Sequence, residues 1–221
     1  YQTLLLAKRH RVSVGAHPGY PDLQGFGRRP MELSPEEIKN LVLYQVGALS
    51  GIAAAFSRPV EYVKPHGALY HDMMQKPEVA DALFEVMALL NQNADGKQVK
   101  PMALVLQATA ENDKWRARAQ AKAHANTHAQ AQASPSPLPL MFEAFADRGY
   151  DNDGQLLSRH ENGALLQGEA LLEQVRLLNS HGQVRSAGGR LLSLEADTLC
   201  IHGDHSDSLR QIEGIRALCQ A

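Results

Sequence analysis

Val60-Glu61-Tyr62-Val63-Lys64-Pro65-His66-Gly67 is the stretch whose reading decides the fold. A short β-branched run stops at a lysine and a histidine, and a glycine follows. The same design recurs along the chain. Val12–Val14 runs into Gly15-Ala16-His17-Pro18, Met141–Ala146 carries Glu143 and meets Asp147-Arg148, and Leu199–Ile201 meets His202-Gly203-Asp204. A fifth run, Met102–Leu106, ends more blandly in Gln107. Helix-length segments usually follow these runs, which predicts a parallel β/α architecture. In such folds the strand C-termini share one face and the chemistry collects there. The polar clusters are therefore expected to be neighbours in space.

Outward from that stretch, the elements read as follows. Tyr1 to His10 is helical, Arg11–Val14 a short strand, and Gly15–Pro30 a loop long enough to suggest binding. Ser34-Pro35-Glu36-Glu37 announces a helix through an N-cap serine, a proline at the first turn and a capping-box glutamate. Ile38, Leu41, Val42, Leu49, Ile52, Ala53 and Phe56 follow at helical spacing. Val60–Val63 is a strand and Pro77–Leu90 a helix with Val79, Leu83, Val86 and Leu90 inward. Asn91–Gly96 is a turn, and Met102–Leu106 and Met141–Phe145 are strands. Ala164–Leu178 is a helix, Leu199–Ile201 a strand, and Ser206–Leu218 a closing helix offering Leu209, Ile212 and Ile215 for burial. Ala117–Ala133 alternates alanine with polar residues and has no apolar stripe, then meets Ser134-Pro135-Ser136-Pro137-Leu138-Pro139. It is expected to be an exposed insertion covering 117–139. His124 and His128 within it have the i, i+4 spacing of helical zinc sites, but no carboxylate accompanies them.

The 221 residues suit a single domain with a sizeable core. A hydrophobic share of 44% and a charged share of 21% are ordinary for a globular protein. A net charge of -2 argues against nucleic acid and anionic membrane as partners. No apolar run approaches the roughly 20 residues of a membrane span. Cys200 and Cys219, the two cysteines, are expected to be buried, reduced thiols in a cytoplasmic protein. No initiator Met and no N-cap precede the first helix, so upstream sequence is expected.

Four clusters are candidates for chemistry. His17, stiffened by Pro18, is a backbone-bonded loop histidine or else a base or metal ligand. Asp22, Arg28, Arg29 and Phe26 share its loop, where Arg28 or Arg29 could clamp an anionic substrate. Lys64 after a buried strand wants an anion, and Gly67 beside His66 permits a close approach. Glu143 inside an apolar strand must be paired, to Arg148 or Lys64, or else its pKa must rise. Tyr150, Asp151, Asp153, Gly154 and Arg159 form a polar loop. His202 is a functional candidate; Asp204 is an alternative cap for the last helix or part of an anion site.

These segments resemble the LamB/YcsF family. The likeness rests on Gly15-Ala16-His17-Pro18 with Tyr20-Pro21-Asp22 and Gly25-Phe26-Gly27-Arg28-Arg29, on Val63 to Tyr70, on Glu143 to Arg148 with Tyr150, Asp153-Gly154, Arg159 and Gly163-Ala164, and on His202-Gly203-Asp204. The resemblance implies a distorted (β/α) barrel of the polysaccharide-deacetylase-like kind. It also implies a subunit of an ATP-dependent 5-oxoprolinase that opens 5-oxo-L-proline to L-glutamate with B and C subunits. On that reading His17 or His66 would activate water, Lys64 would stabilise the oxyanion and Glu143 would protonate the leaving nitrogen. His202 joins this catalytic set, and Arg28, Arg29, Asp147, Arg148 and Asp204 would bind substrate, with Arg148 on its carboxylate. ATP is then the cofactor of the complex. The family's acidic first strand and its His-Ala-Gly-Asp segment are absent from this chain. The rivals are a stand-alone deacetylase or amidohydrolase, with a divalent metal on His17, His66 and His202, and a catalytically silent binding subunit.

Overall fold

The computed structural model describes residues 1–92, 100–127, 137–203 and 209–220, with the side chains of 123–127 left aside. The elements are α1 (Gln2–His10), β1 (Val14–Ala16), α2 (Pro35–Ala54), β2 (Val60–Val63), α3 (Gly67–Gln75), α4 (Pro77–Asn91), β3 (Ala103–Gln107), α5 (Asn112–Thr127), β4 (Leu140–Phe145), α6 (Gly168–His181), β5 (Gln183–Arg185), β6 (Leu191–Ser193), β7 (Thr198–Cys200) and α7 (Ile212–Gln220). Five strands follow the order β1-β2-β3-β4-β7, and the pairings β1–β2, β2–β3 and β4–β7 are all parallel. The fold class is thus mixed α/β with the curled parallel sheet of a distorted barrel, as expected. Strands β5 and β6 form a separate antiparallel hairpin that the sequence reading did not foresee.

The chain divides into two compact units: residues 1–106 with 113–140, and residues 107–112 with 141–221. In the first, α2 begins on the expected capping box. The Ser34 hydroxyl accepts from the Glu37 backbone N–H, and the Glu37 carboxylate accepts from the Ser34 N–H at 2.7 Å. Its buried positions are Ile38, Val42, Val46 and Ala53. Ile52, expected inside, is 52% exposed, and Val46, one turn beyond Val42, takes a place in the core. Helix α4 buries Val79, Leu83 and Val86 as expected, together with Phe84 and Met87.

The first strand starts later than its valines suggest. Arg11 closes α1 in the left-handed conformation at φ 55°, and the Val12 N–H donates to the Ala7 carbonyl. Val12 belongs to this helix end and is exposed, so β1 begins at Val14. The alanine-rich stretch is helical through Thr127 despite lacking an apolar stripe. Ion pairs hold it instead. Arg118 Nε donates to Asp81 at 2.7 Å, Lys122 lies 2.9 Å from the same carboxylate, and Trp115 meets Phe84 edge-on. His128 lies outside the described residues, as does the side chain of His124.

In the second unit Ala146, Leu171, Val175 and Ile215 form the core, with Leu166, Leu199 and Leu218 packed around them. Helix α6 starts at Gly168 rather than Ala164, because Ala164 and Leu166 are used elsewhere. The Ala164 carbonyl accepts from the Gly149 N–H and the Leu166 N–H donates to the Asp147 carbonyl. In α7 Ile215 is the buried residue; Ile212, and Leu209 ahead of the helix, are about half exposed. Neither Cys200 nor Cys219 is in a disulfide. Burial was expected of both, but Cys200 is half-buried and Cys219, in the last turn of α7, is exposed.

Candidate functional site

The first unit gathers His17, Lys64 and His66 at the ends of β1 and β2. Parallel pairing of Ala16 with Val63 sets the two strand ends side by side, and the Lys64 N–H donates to the Ala16 carbonyl at 2.9 Å. His17 Nδ1 lies 2.5 Å from the Lys64 carbonyl oxygen, and His66 Nε2 lies 2.7 Å from that of Phe26. The remaining nitrogens, His17 Nε2 and His66 Nδ1, face each other at 3.0 Å. The rings meet edge to face with centroids 4.7 Å apart.

Glycines let the loop close around His66. A Cβ on Gly19 would stand 3.3 Å from the histidine side chain, and one on Gly27 would stand 3.0 Å from it. Gly67 has φ +55°, and a Cβ there would come within 2.4 Å of the Gly27 carbonyl oxygen, so the expected close approach is backbone against backbone. Phe26 adopts φ 55° without being glycine, and its carbonyl meets His66.

Asp22 holds that loop in shape. Its carboxylate accepts from the Gly25 N–H at 2.9 Å and from the Arg29 guanidinium, which lies against it. The bonds from Arg29 hold the Asp22 carboxyl at about 2, well below the usual range. Arg29 therefore braces the loop, whereas Arg28 lies over the Phe26 ring at 5.3 Å. Gln45 on α2, which the sequence reading missed, anchors the loop by accepting from the Gly19 N–H and donating to the Gly19 carbonyl. Tyr20 donates to the buried Asp72, which the sequence reading missed, at 2.7 Å. Burial, and then that bond, raises its pKa.

The second unit joins Asp147 to His202. The His202 ring Nδ1 and its backbone N–H both lie 3.0 Å from the Asp147 carboxylate. Burial pushes the Asp147 carboxyl up, but the hydrogen bonds and charge of His202 outweigh it and hold the group below its ordinary value. The imidazole stacks on Phe145 and is part-exposed, while the carboxylate is 3% exposed. A carboxylate so placed fixes the orientation of the ring through Nδ1 and leaves Nε2 for other work. Asp147 was expected on the substrate; here it orients a histidine.

Arg148 does not stand ready for a substrate carboxylate. It is buried, with Nε donating to the Ala164 carbonyl and a terminal nitrogen to that of Leu157. Burial, followed by the charge of Arg159, lowers its pKa. Glu143 lies inside β4 as expected and is 2% exposed. The missed residue in this unit is Gln174, buried on α6, whose amide donates to the carbonyls of Phe145 at 2.6 Å and Arg148 at 2.8 Å. A lone glutamine on an otherwise apolar helix face was the available signal. Tyr150 is fully buried, its hydroxyl accepting from the Phe145 N–H. Asp151 caps the Asp153-Gly154 turn by accepting from two backbone N–H groups, which is ordinary turn chemistry. Asp204 lies outside the described residues.

The protein is thus a parallel α/β protein with a histidine pair at the strand ends of its first unit and a carboxylate-oriented histidine in its second. The chain is a member of the LamB/YcsF family, whose model matches residues 1–113 and 88–221. It is 43% identical over 217 residues to a Vibrio campbellii protein named as the A subunit of 5-oxoprolinase, covering 98% of this chain and 77% of that one. A Chromohalobacter salexigens protein of the same name is 40% identical over 216 residues, covering 97% and 78%. The crystal structure of a lactam utilization protein from Thermus thermophilus superposes with a TM-score of 0.76 at 32% identity, covering 99% of this chain and 79% of that one. No helix among the described residues is long and apolar enough to cross a membrane.

Proposed function

We propose that this chain is the A subunit of an ATP-dependent 5-oxoprolinase, working with B and C subunits to convert 5-oxo-L-proline, ATP and water into L-glutamate, ADP and phosphate. The observation that carries this reading is the near-full-length identity to proteins named for that subunit. The chemistry of the strand ends agrees with it. Ring opening breaks the lactam C–N bond, places the hydroxyl of water on the carbonyl carbon and returns a proton to nitrogen. The amide is resonance-stabilised, so its carbonyl needs activation, which ATP supplies through the partner subunits.

In this chain the His17–His66 pair activates water. Its rings are preset by the Lys64 and Phe26 carbonyls, so little reorganisation accompanies the step. Lys64 stabilises the developing oxyanion. In the second unit Asp147 orients the His202 ring and leaves its Nε2 available. Arg28, on the loop that closes around His66, receives the substrate carboxylate. Arg29 and Arg148 serve structure instead, on Asp22 and on backbone carbonyls.

The test is 5-oxoproline consumption by the purified subunits in all combinations, with and without ATP. Turnover is expected only with all three subunits and ATP. In that mixture Lys64→Ala and His66→Ala should each lower kcat by about 100-fold or more. Full activity of His66→Ala would remove it from the chemistry. Amide hydrolysis by this chain alone, without ATP, would replace the proposal with the stand-alone hydrolase.

A further inference from the structure

Helix α6 and the hairpin that follows it border a cleft of about 260 Å³ in the second unit. Leu157, Leu166 and Leu177 line it, so its walls are chiefly apolar. Gln174 lines it too and is 4% exposed. The amide nitrogen of Gln174 is fully engaged, Nε2 donating to the carbonyls of Phe145, Ala146 and Arg148 at 2.6, 3.3 and 2.8 Å. These carbonyls also fix which end of the amide is which, since a flipped amide would set oxygen against oxygen. Oε1 accepts from no group among the described residues. A buried carboxamide oxygen without a donor costs free energy that an occupant carrying an N–H would recover.

Charge at the opening selects the other end of that occupant. Glu173 and Arg185 line the cleft and are exposed, which puts them at its mouth. Glu173 is already paired, with Arg176 at 3.6 Å. Arg185 donates to the Gly189 carbonyl at 3.3 Å and meets no carboxylate among the described residues. Its remaining guanidinium donors suit a carboxylate. Further in, Gln174 Nε2 is engaged and the Ser186 hydroxyl donates to Asn152 at 2.8 Å. A ligand carbonyl placed beside Gln174 would be left unpaired, which disfavours amides and lactams there. A cavity of about 150 Å³ accepts benzene, so this cleft has room for a fused ring with a short acid arm.

We propose that this cleft is a binding site for a small, mainly apolar carboxylate bearing one N–H donor, of the indole-acid kind. The ring lies between the leucines, its N–H donates to Gln174 Oε1, and the carboxylate meets Arg185 at the mouth. The site goes beyond the oxoprolinase reading and does not rest on it.

The experiment titrates indole-3-acetate into the full chain, followed by calorimetry and by ¹⁵N spectra. One saturable site is expected, with the Gln174 side-chain amide among the signals that move. The N-methyl analogue of the probe, which lacks the N–H, should bind about tenfold more weakly or worse. Arg185→Ala should weaken indole-3-acetate by about fivefold or more and leave the binding of indole itself unchanged. Ala170→Trp, at an exposed lining position on α6, should fill the cleft and abolish binding with far-UV circular dichroism unchanged. If that variant unfolds, Ala170→Phe takes its place under the same criteria. Absence of a saturable site, equal binding of the methylated probe, or binding that survives the filled cleft would overturn the proposal. So would failure of the probe to bind together with loss of subunit assembly in Ala170→Trp, which would give the cleft to a protein partner.

Discussion

Asp147 shows how much one buried carboxylate does. It accepts from both the ring and the backbone of His202, and those bonds hold its pKa down against the opposing effect of burial. A carboxyl whose folded pKa lies below its unfolded value adds stability above the unfolded pKa and loses it as pH falls through the folded one. The loss should therefore begin near pH 4, where unfolded aspartate titrates, and continue below it. Asp147→Asn removes this dependence, and urea midpoints measured from pH 7 to 3 should fall less steeply than in the wild type. On the proposed function, the same substitution should lower 5-oxoproline turnover through a changed pH profile, because the His202 ring loses its orienting partner. A wild-type pH–stability curve superposable on that of Asp147→Asn would remove this role. Asp147 and His202 were both legible as candidates in the sequence. Their partnership was not, since 55 residues separate them.

At the scale of elements, local signals were read best where the causes are local. The Ser34–Glu37 capping box was visible because all its participants lie within four residues. Ser34→Ala should cost about 1 kcal/mol, measured as a lower denaturation midpoint with the native spectrum retained. Helix α5 is the opposite case. Its sequence lacks an apolar stripe, yet Arg118 and Lys122 reach Asp81 on α4, which lies 37 positions before Arg118. Burial first raises the Asp81 carboxyl, and the two cations more than reverse this. The late starts of β1 and α6 have a similar origin. Arg11 takes a left-handed helix end without glycine, and the residues before Gly168 are committed to Arg148, Gly149 and Asp147. Neither commitment has a sequence-local signature.

For the whole molecule, the recurrence of apolar run, polar cluster and helix specified a parallel α/β fold, and the strand order β1-β2-β3-β4-β7 bears it out. One compact unit carries the His17–His66 pair and the other the Asp147–His202 pair. In the second, Leu171 is fully buried beside Val175, Ala146 and Ile215. Leu171→Ala should destabilise by about 2–5 kcal/mol, read by far-UV circular dichroism in urea. A change below about 1 kcal/mol would mean the cavity collapses without cost. Trp115, the single tryptophan, lies against Phe84 in the first unit and offers a separate optical probe of that part.

By itself the sequence determined the fold class and the family, because periodicity, capping and motif spacing act over a few residues. Tertiary structure alone decided which polar groups are engaged. It placed Arg29 on Asp22, Arg148 on the Ala164 and Leu157 carbonyls, and Asp147 on His202. It also turned His17 and His66 toward each other. Hydrogen bonds depend on distances of a few tenths of an ångström and on direction, and only the folded chain sets these across tens of residues.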